Sequence, residues 1–308
     1  MAASITPFRF LSAVTCADLP AHRELEFTVR DYDLAATLAC GQAFRWERRG
    51  ERWTGVVQGR WVELRQAGEN IFARTTVAQT DWDWLAEYLQ IAVDFHSVLA
   101  TFPADEPMGN AVSACRGLRL LRQEPWECLA SFIVSSTKQI VQIRQIISEL
   151  CARHGEPVEV PPGEAVAFAF PSAARIAGLT EAQLRACKMG FRAPYLLATA
   201  RRVAGGEFNL ESLRELEVTE ARERLLTLPG VGHKIADCVL LFAFGFPTAF
   251  PQDVWVMRAL RQLYFRGRRT RVGKLREFAA THFGPNAGYA QQYLFHAQRL
   301  RERKKLLA

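Results

Sequence analysis

The chain lacks any C-x-x-C pair and has no cysteine after Cys238, although it carries seven cysteines, at 16, 40, 115, 128, 151, 187 and 238. Such spacing gives neither a zinc site nor a disulfide framework, and a reducing compartment suits it best. No metal and no cofactor are expected. The chain also lacks a run approaching the ~20 apolar residues that a membrane crossing requires. It shows no internal repeat and no low-complexity tract, so ordinary globular domains are left. A basic start followed by a long apolar stretch is missing too: "MAASITPFRFLSAVTC" carries one arginine in mid-run, which argues against a secretory signal and leaves a transit peptide open.

What is present is a chain of 308 residues, 49% hydrophobic and 23% charged, enough for one large core or two to three smaller ones. Lys and Arg number 39 against 32 Asp and Glu, a net charge of +7 that favours polyanions such as nucleic acid or an acidic membrane face. The excess gathers at "RQLYFRGRRTRVGKLR" (261–276) and "RLRERKK" (299–305), which a plain solvated face would also explain.

From Leu25 to Thr76 the segments "LEFTVR", "AFRWERR", "RWTGVVQ", "RWVELRQ" and "NIFARTT" alternate polar and apolar residues between turns at Gly50, Gly59 and Gly68. This predicts an antiparallel sheet, with Phe44 and Trp46 as core residues on its second strand. "TDWDWLAEYLQ" predicts a helix capped by Thr80. Beyond Gly109 the texture turns helical. "PWECLASFIVSSTKQIVQIRQIISELCARHG" reads as two helices broken near Ser135 and Ser136, starting at Pro125 and ending before Gly155. "TEAQLRACKMG" starts with a capping box of Thr180 and Gln183, and "TEARERLLTLPG" repeats the pattern from Thr219. Between them, 156–165 is a Pro-rich connector.

The stretch "LPGVGHK" predicts a helix, a tight turn with Gly230 and Gly232 free to take positive φ, and a new helix starting near His233. Unpaired N–H groups of such a turn, including that of Val231, can hold a phosphate oxygen. Lys234 and Cys238 lie four apart and share a face of the new helix. A lysine in a first turn is repelled by the helix dipole, by some tenths of a kcal/mol to ~1 kcal/mol. That repulsion and desolvation favour the neutral amine, the form that attacks carbon, whereas a nearby Asp253 favours the ammonium. Each residue also has a plain structural use: Lys234 snorkelling to solvent, Asp253 capping "DVWVMRALRQLY". Taken together they suggest a nucleophile with a carboxylate beside an electrophilic carbon.

"LPGVGHKIADC" followed by "FPQDVW" resembles the helix-hairpin-helix, Gly/Pro-rich, aspartate signature of base-excision DNA glycosylases. More narrowly, "CGQAFRW" (40–46), "LLRQEPWECLASFIVSS" (120–136), "KMGFRAPY" (188–195) and "GYAQQYLF" (288–295) resemble, in order, the 8-oxoguanine DNA glycosylases over residues 25 to 300. The resemblance implies an α+β, predominantly α fold: an N-terminal antiparallel sheet domain (1–112), a helical bundle (113–195) and a helix-hairpin-helix domain (196–308). It implies a monomer that flips a damaged nucleotide out of duplex DNA. Lys234 would attack the sugar C1′, form a Schiff base and permit β-elimination, with Asp253 stabilising the sugar cation. The Gly41 carbonyl would accept the N7–H that distinguishes 8-oxoguanine from guanine. Cys238 and Phe295 would sandwich the base, and Gln291 would read its edge. Gly230, Val231, Gly232, Phe191, Arg192, Thr137 and Lys138 would contact DNA, in the cytoplasm of a bacterium or the nucleus of a eukaryote.

The chain departs from the family's eukaryotic-type pattern. Thr137 stands where an Asn fills the gap in the duplex, Arg192 matches one of two cytosine-reading arginines, Gln142 holds the place of the other, and Trp255 replaces a phosphate-contacting histidine. Phe191 remains an aromatic wedge, and a weaker preference for cytosine opposite the lesion is expected. Three rivals stand beside this. Glycosylases for oxidised pyrimidines usually hold an iron–sulfur cluster on four cysteines after the aspartate, and this chain has none there. Glycosylases for alkylated bases normally lack the lysine. A non-catalytic DNA-binding module would need neither Lys234 nor Asp253.

Overall fold

The computed structural model describes residues 22–307; Cys16 and the N-terminal stretch read above as no secretory signal lie outside them. The fold is mostly helical α+β, with an N-terminal five-stranded antiparallel sheet followed by helices. Strands β1 (His22–Thr28), β2 (Glu47–Arg49), β3 (Arg52–Val57), β4 (Arg60–Ala67) and β5 (Asn70–Gln79) are ordered β1-β5-β4-β3-β2. Two-residue hairpin loops set the register: Gln58 and Gly59 both adopt positive φ, at 48° and 76°, which matches the twist of the flanking strands. Alternation puts Val62, Leu64, Ile71 and Ala73 on one buried face.

That face packs on α1 (Leu34–Ala39) and α2 (Asp83–Leu89) through Leu34, Leu38, Leu85 and Leu89. The sequence pattern did not disclose α1, whose Asp33 side chain accepts from Ala36 N. Two expectations fail here. Thr80 does not cap α2: the helix starts after Trp82, and Asp81 Oδ1 takes the Asp83 N–H at 2.7 Å, a carboxylate being a better local acceptor than a hydroxyl. Phe44 and Trp46 are buried but precede β2; Trp46 seats on Gly55, where a Cβ would lie 2.8 Å from its ring, and donates to Tyr88 Oη at 2.8 Å.

The helical part runs α3 (Phe95–Ala100), α4 (Glu106–Ala114), α5 (Pro125–Val134), α6 (Ile140–His154), α7 (Ala173–Ala177), α8 (Glu181–Ala186) and α9 (Ala193–Ala204). It continues with α10 (Val218–Leu226), α11 (His233–Val239), α12 (Val254–Tyr264), α13 (Val272–His282) and α14 (Ala287–Leu307). The break between α5 and α6 and the capping box at Thr180 and Gln183 are as the sequence predicts. Thr219 is not a cap, because α10 starts one residue earlier behind Glu217. The Pro-rich connector holds an unforeseen two-stranded pairing, β6 (Pro157–Val158) with β7 (Ala167–Phe168).

One apolar cluster joins the helices, and α14 crosses it with Tyr289, Tyr293 and Phe295. Every residue of α5 but Glu127 is buried, so it anchors the interior. Among the described residues no helix is long and apolar enough to cross a membrane.

Candidate active site

The hairpin between α10 and α11 is pinned from below. Thr199 Oγ1 donates to Pro229 O at 3.0 Å and Arg202 Nη1 to Thr227 O at 2.7 Å. Gly230 takes φ +76°, and a Cβ there would meet Tyr195 at 2.6 Å, so only glycine fits. The expectation of positive φ at both glycines holds for Gly230 alone; Gly232 is extended at φ −100° and precedes α11 with no side-chain cap. Val231 is buried and, against the expectation of an unpaired donor, its N–H is used inside the turn, donating to Leu228 O at 3.2 Å.

Lys234 sits in the first turn of α11, half-buried. Its Nζ donates to Ser135 Oγ at 3.2 Å and stands 4.9 Å from the centre of the Phe132 ring. Ser135 donates its own proton to Phe132 O at 2.7 Å, which aims the hydroxyl lone pairs at the amine. Neither Ser135 nor Phe132 was singled out from sequence. After Val239 the helix widens into a π-helical turn, Leu240–Phe244, and Phe242 stacks on Phe132 at 5.6 Å. Widened turns of this kind recur at functional sites.

Asp253 is both cap and pocket wall. Its Oδ1 accepts from Trp255 N and Val256 N, each at 2.9 Å, while Oδ2 has no hydrogen-bond partner among the described residues. The capping reading and the catalytic reading are therefore compatible in one carboxylate. Burial holds its pKa above the usual carboxylate range, opposed by the Val256 N–H, the Lys234 charge, the Trp255 N–H and the Arg299 charge. Lys234 and Asp253 do not form an ion pair.

Gly41 follows α1 at φ +92°, and Arg299 Nη1 donates to the preceding Cys40 O at 3.0 Å. The turn is fixed by Gln42, wholly buried, which sequence reading left without a role. Its Nε2 donates to Thr37 O at 2.9 Å and Arg119 O at 2.8 Å, and its Oε1 accepts from Leu121 N at 2.9 Å. Gln123 Nε2 in turn donates to Gln42 O at 2.8 Å. A Cβ on Gly41 would lie 2.5 Å from Ile140 Cδ1, in backbone that L-residues avoid at a cost of about 1–2 kcal/mol. Gly41→Ala should therefore move this turn, lowering melting temperature by a few degrees. In an excision assay it should cut the preference for 8-oxoguanine over guanine by tenfold or more; an unchanged preference would remove Gly41 from recognition.

Gln291 and Phe295, on α14, face the same space, and Gln291 Oε1 is buried without a partner. Gln292, not foreseen, joins them with an unpartnered Nε2. The Cys238 thiol is pushed up to about 12, chiefly by burial, so it remains neutral. One cavity is lined by Gly41, Lys234, Cys238, Asp253, Gln291 and Phe295, with Phe132, Phe242, Pro251 and Gln292 completing the wall. All six residues expected at the reacting nucleotide thus converge, from three separated stretches of chain. Among the described residues no group of three or more His, Cys, Asp and Glu could hold a metal.

The remaining expected residues lie outside that cavity. Phe191 is 54% exposed, as a wedge must be. Arg192 is 3% exposed, against the expectation of an arginine free to reach DNA. Its guanidinium donates to Met189 O at 3.2 Å, to Ser136 O and to Thr137 Oγ1, and lies 4.2 Å from the centre of the Phe191 ring. It is turned inward because the loop after α5 needs its carbonyls satisfied. Thr137 is exposed at φ +56° and Lys138 is half-buried.

Residues 24–129 match the 8-oxoguanine DNA glycosylase N-terminal domain, and residues 130–283 match the HhH-GPD superfamily of base excision DNA repair proteins. The chain is 30% identical over 294 residues to the N-glycosylase/DNA lyase OGG1 of Arabidopsis thaliana, covering 89% of this chain and 79% of that protein. It is 34% identical over 220 residues to a probable N-glycosylase/DNA lyase of Methanothermobacter thermautotrophicus, covering 65% and 69%. The Clostridium acetobutylicum 8-oxoguanine glycosylase/lyase, solved with duplex DNA carrying cytosine opposite 8-oxoG, superposes with a TM-score of 0.84 at 31% identity, over 92% of this chain and 99% of that one. By these matches and by the fold, the chain belongs to the 8-oxoguanine DNA glycosylase family, a group of N-glycosylase/DNA lyases within the HhH-GPD superfamily.

Proposed function

We propose that the protein excises 8-oxoguanine from duplex DNA and then nicks the strand. The observation that carries this is the convergence of Lys234, Asp253, Gly41, Cys238, Gln291 and Phe295 on one cavity. The amine of Lys234 attacks C1′ of the flipped nucleotide, and the C1′–N9 bond breaks as the base departs with its electron pair. Asp253 Oδ2, not used in capping, faces the positive charge that builds on the sugar. Opening of the sugar ring gives a Schiff base to Nζ. Loss of a C2′ proton then expels the 3′ phosphate.

Recognition follows from the walls. The Gly41 carbonyl accepts the N7–H of the lesion; guanine offers a lone pair there, and facing two acceptors costs about 1–3 kcal/mol. Gln291 meets the base edge with its unpartnered oxygen, while the neutral Cys238 thiol and the Phe295 ring cover the two faces. The protein acts as a cofactor-free monomer, in the nucleoid of a bacterium or the nucleus of a eukaryote. The cleft lies between a first helical unit and the unit that carries the hairpin, with the sheet domain supplying Gly41; the expected boundaries at 112 and 195 fall inside α4 and α9. Gly230 and Gly232 meet phosphates with their backbone N–H groups, Phe191 acts as the wedge that unstacks the partner base, and Thr137 and Lys138 lie beside the gap.

Excision measured on duplexes holding 8-oxoguanine, guanine, an alkylated purine and an oxidised pyrimidine tests the reading. Release of 8-oxoguanine alone is expected; equal release of the pyrimidine lesion would sink it. Run opposite C, A, G and T, the same assay should give a cytosine preference below about a hundredfold, since each reading contact discriminates by about 1–3 kcal/mol. Gln142 is exposed and accepts from Gln139 N at 3.2 Å, offering no guanidinium to the orphaned base, and Arg192 is held inward.

A further inference from the structure

A second concavity, also lined by Asp253, opens between α12, α13 and the turn that joins them. Three arginines line it, Arg258, Arg261 and Arg276, with Gln252 and Val254 at its edge, and Asp253 is its one carboxylate. Asp253 also lines the cavity that takes the damaged base, so the two spaces share a wall.

The cations are poorly neutralised. Arg276 forms no ion pair among the described residues, and Arg258 reaches only Glu302, at 3.8 Å. Arg261 donates to Thr270 O at 3.4 Å and keeps a buried Nε with no partner. Arg258 lies 5.1 Å from the centre of the Trp255 ring, which holds its guanidinium over the first turn of α12. A strand that delivers a nucleotide to Asp253 must bring its phosphates close to that carboxylate, a like-charge approach that needs cations beside it. Guanidinium forks match phosphate oxygens in geometry as well as charge.

We propose that Arg258, Arg261 and Arg276 seat a backbone phosphate of the damaged strand next to the flipped nucleotide. This rests on the glycosylase reading, because it takes duplex DNA as the ligand. The seat sets affinity and the register of the strand; the chemistry stays with Lys234 and Asp253.

The test is a neutral-phosphate scan with the full chain. Duplexes carrying 8-oxoguanine receive a single methylphosphonate at each position flanking the lesion, and Kd is measured for wild type, Arg258→Gln and Arg276→Gln. One position should weaken wild-type binding about tenfold and the variants less than about twofold, because the interaction is already lost. The variants should also lower the slope of log Kd against log salt by about one phosphate contact and raise KM far more than they lower kcat. Arg258→Lys should restore part of the affinity. Variants that respond to every methylphosphonate as wild type does, with an unchanged salt slope, overturn the seat while leaving the glycosylase reading intact. A wild-type chain that neither binds duplex DNA in a salt-dependent way nor excises the lesion overturns both. Circular dichroism of each variant identifies a folding defect, and a variant that fails it is replaced by Arg261→Gln in the same scan.

Discussion

Lys234→Gln should abolish the covalent adduct that borohydride traps between the protein and 8-oxoguanine duplex DNA, and should slow base release by about a thousandfold or more. The amine is the only group in the cavity able to form a Schiff base, and removing a nucleophile costs this much where no second one takes over. Glutamine is one atom shorter but keeps an uncharged polar end in a half-buried position, so the fold should melt near the wild-type temperature. Arginine would be the wrong control: its guanidinium fills the site but does not lose its proton. Trapping at wild-type yield by the glutamine variant would show that another nitrogen carries the reaction and would end the mechanism proposed for this site.

Asp253→Asn should lower excision by about a hundredfold to a thousandfold, the scale seen when a group aimed at developing charge is removed. It should also make the protein more stable at neutral pH. Asparagine caps helices about as well as aspartate, so α12 keeps its start. Burial raises the folded-state pKa of Asp253, so the folded chain binds this proton more tightly than the unfolded chain. The stability contribution of the group is complete at low pH and is lost as pH rises through that raised value. Removing the ionisable group removes the loss. For activity the sign is reversed, because the reaction needs the carboxylate. Excision by wild type should fall as pH drops through the raised pKa, with an acid limb above the ordinary carboxylate range. A pH–rate profile and thermal melts at several pH values check both. An asparagine variant that is destabilised at neutral pH, or that keeps the acid limb, would contradict the assignment.

Local signals in the sequence explain what could be read from it. The five strands were legible because alternation and turn glycines act within a few residues, as at Gln58 and Gly59. The helix starts at Thr80 and Thr219 were misplaced because a neighbouring residue offered a different first turn, a contest decided over one or two residues. The six cavity residues were found through their motifs, which fix identity and order along the chain. The site roles of Ser135, Gln42 and Gln292 escaped notice because they exist only across distance: Ser135, read as a helix break, meets Lys234 ninety-nine residues away, and Gln42 meets Leu121 seventy-nine away. Arg192 shows the same limit in reverse. Its type suits DNA, but its direction is set by the carbonyl of Ser136, on a different helix end.

The side-chain amide of Gln42 joins the end of α1 to the segment at Arg119 to Leu121, and its main-chain carbonyl, taking the Gln123 amide, joins both to the approach to α5. Four bonds at one buried residue, each worth about 1 kcal/mol net and more if left half-made, make a rigid mount. On the proposed reading, the lesion therefore meets the Gly41 carbonyl as a fixed reference point, held from below by these bonds.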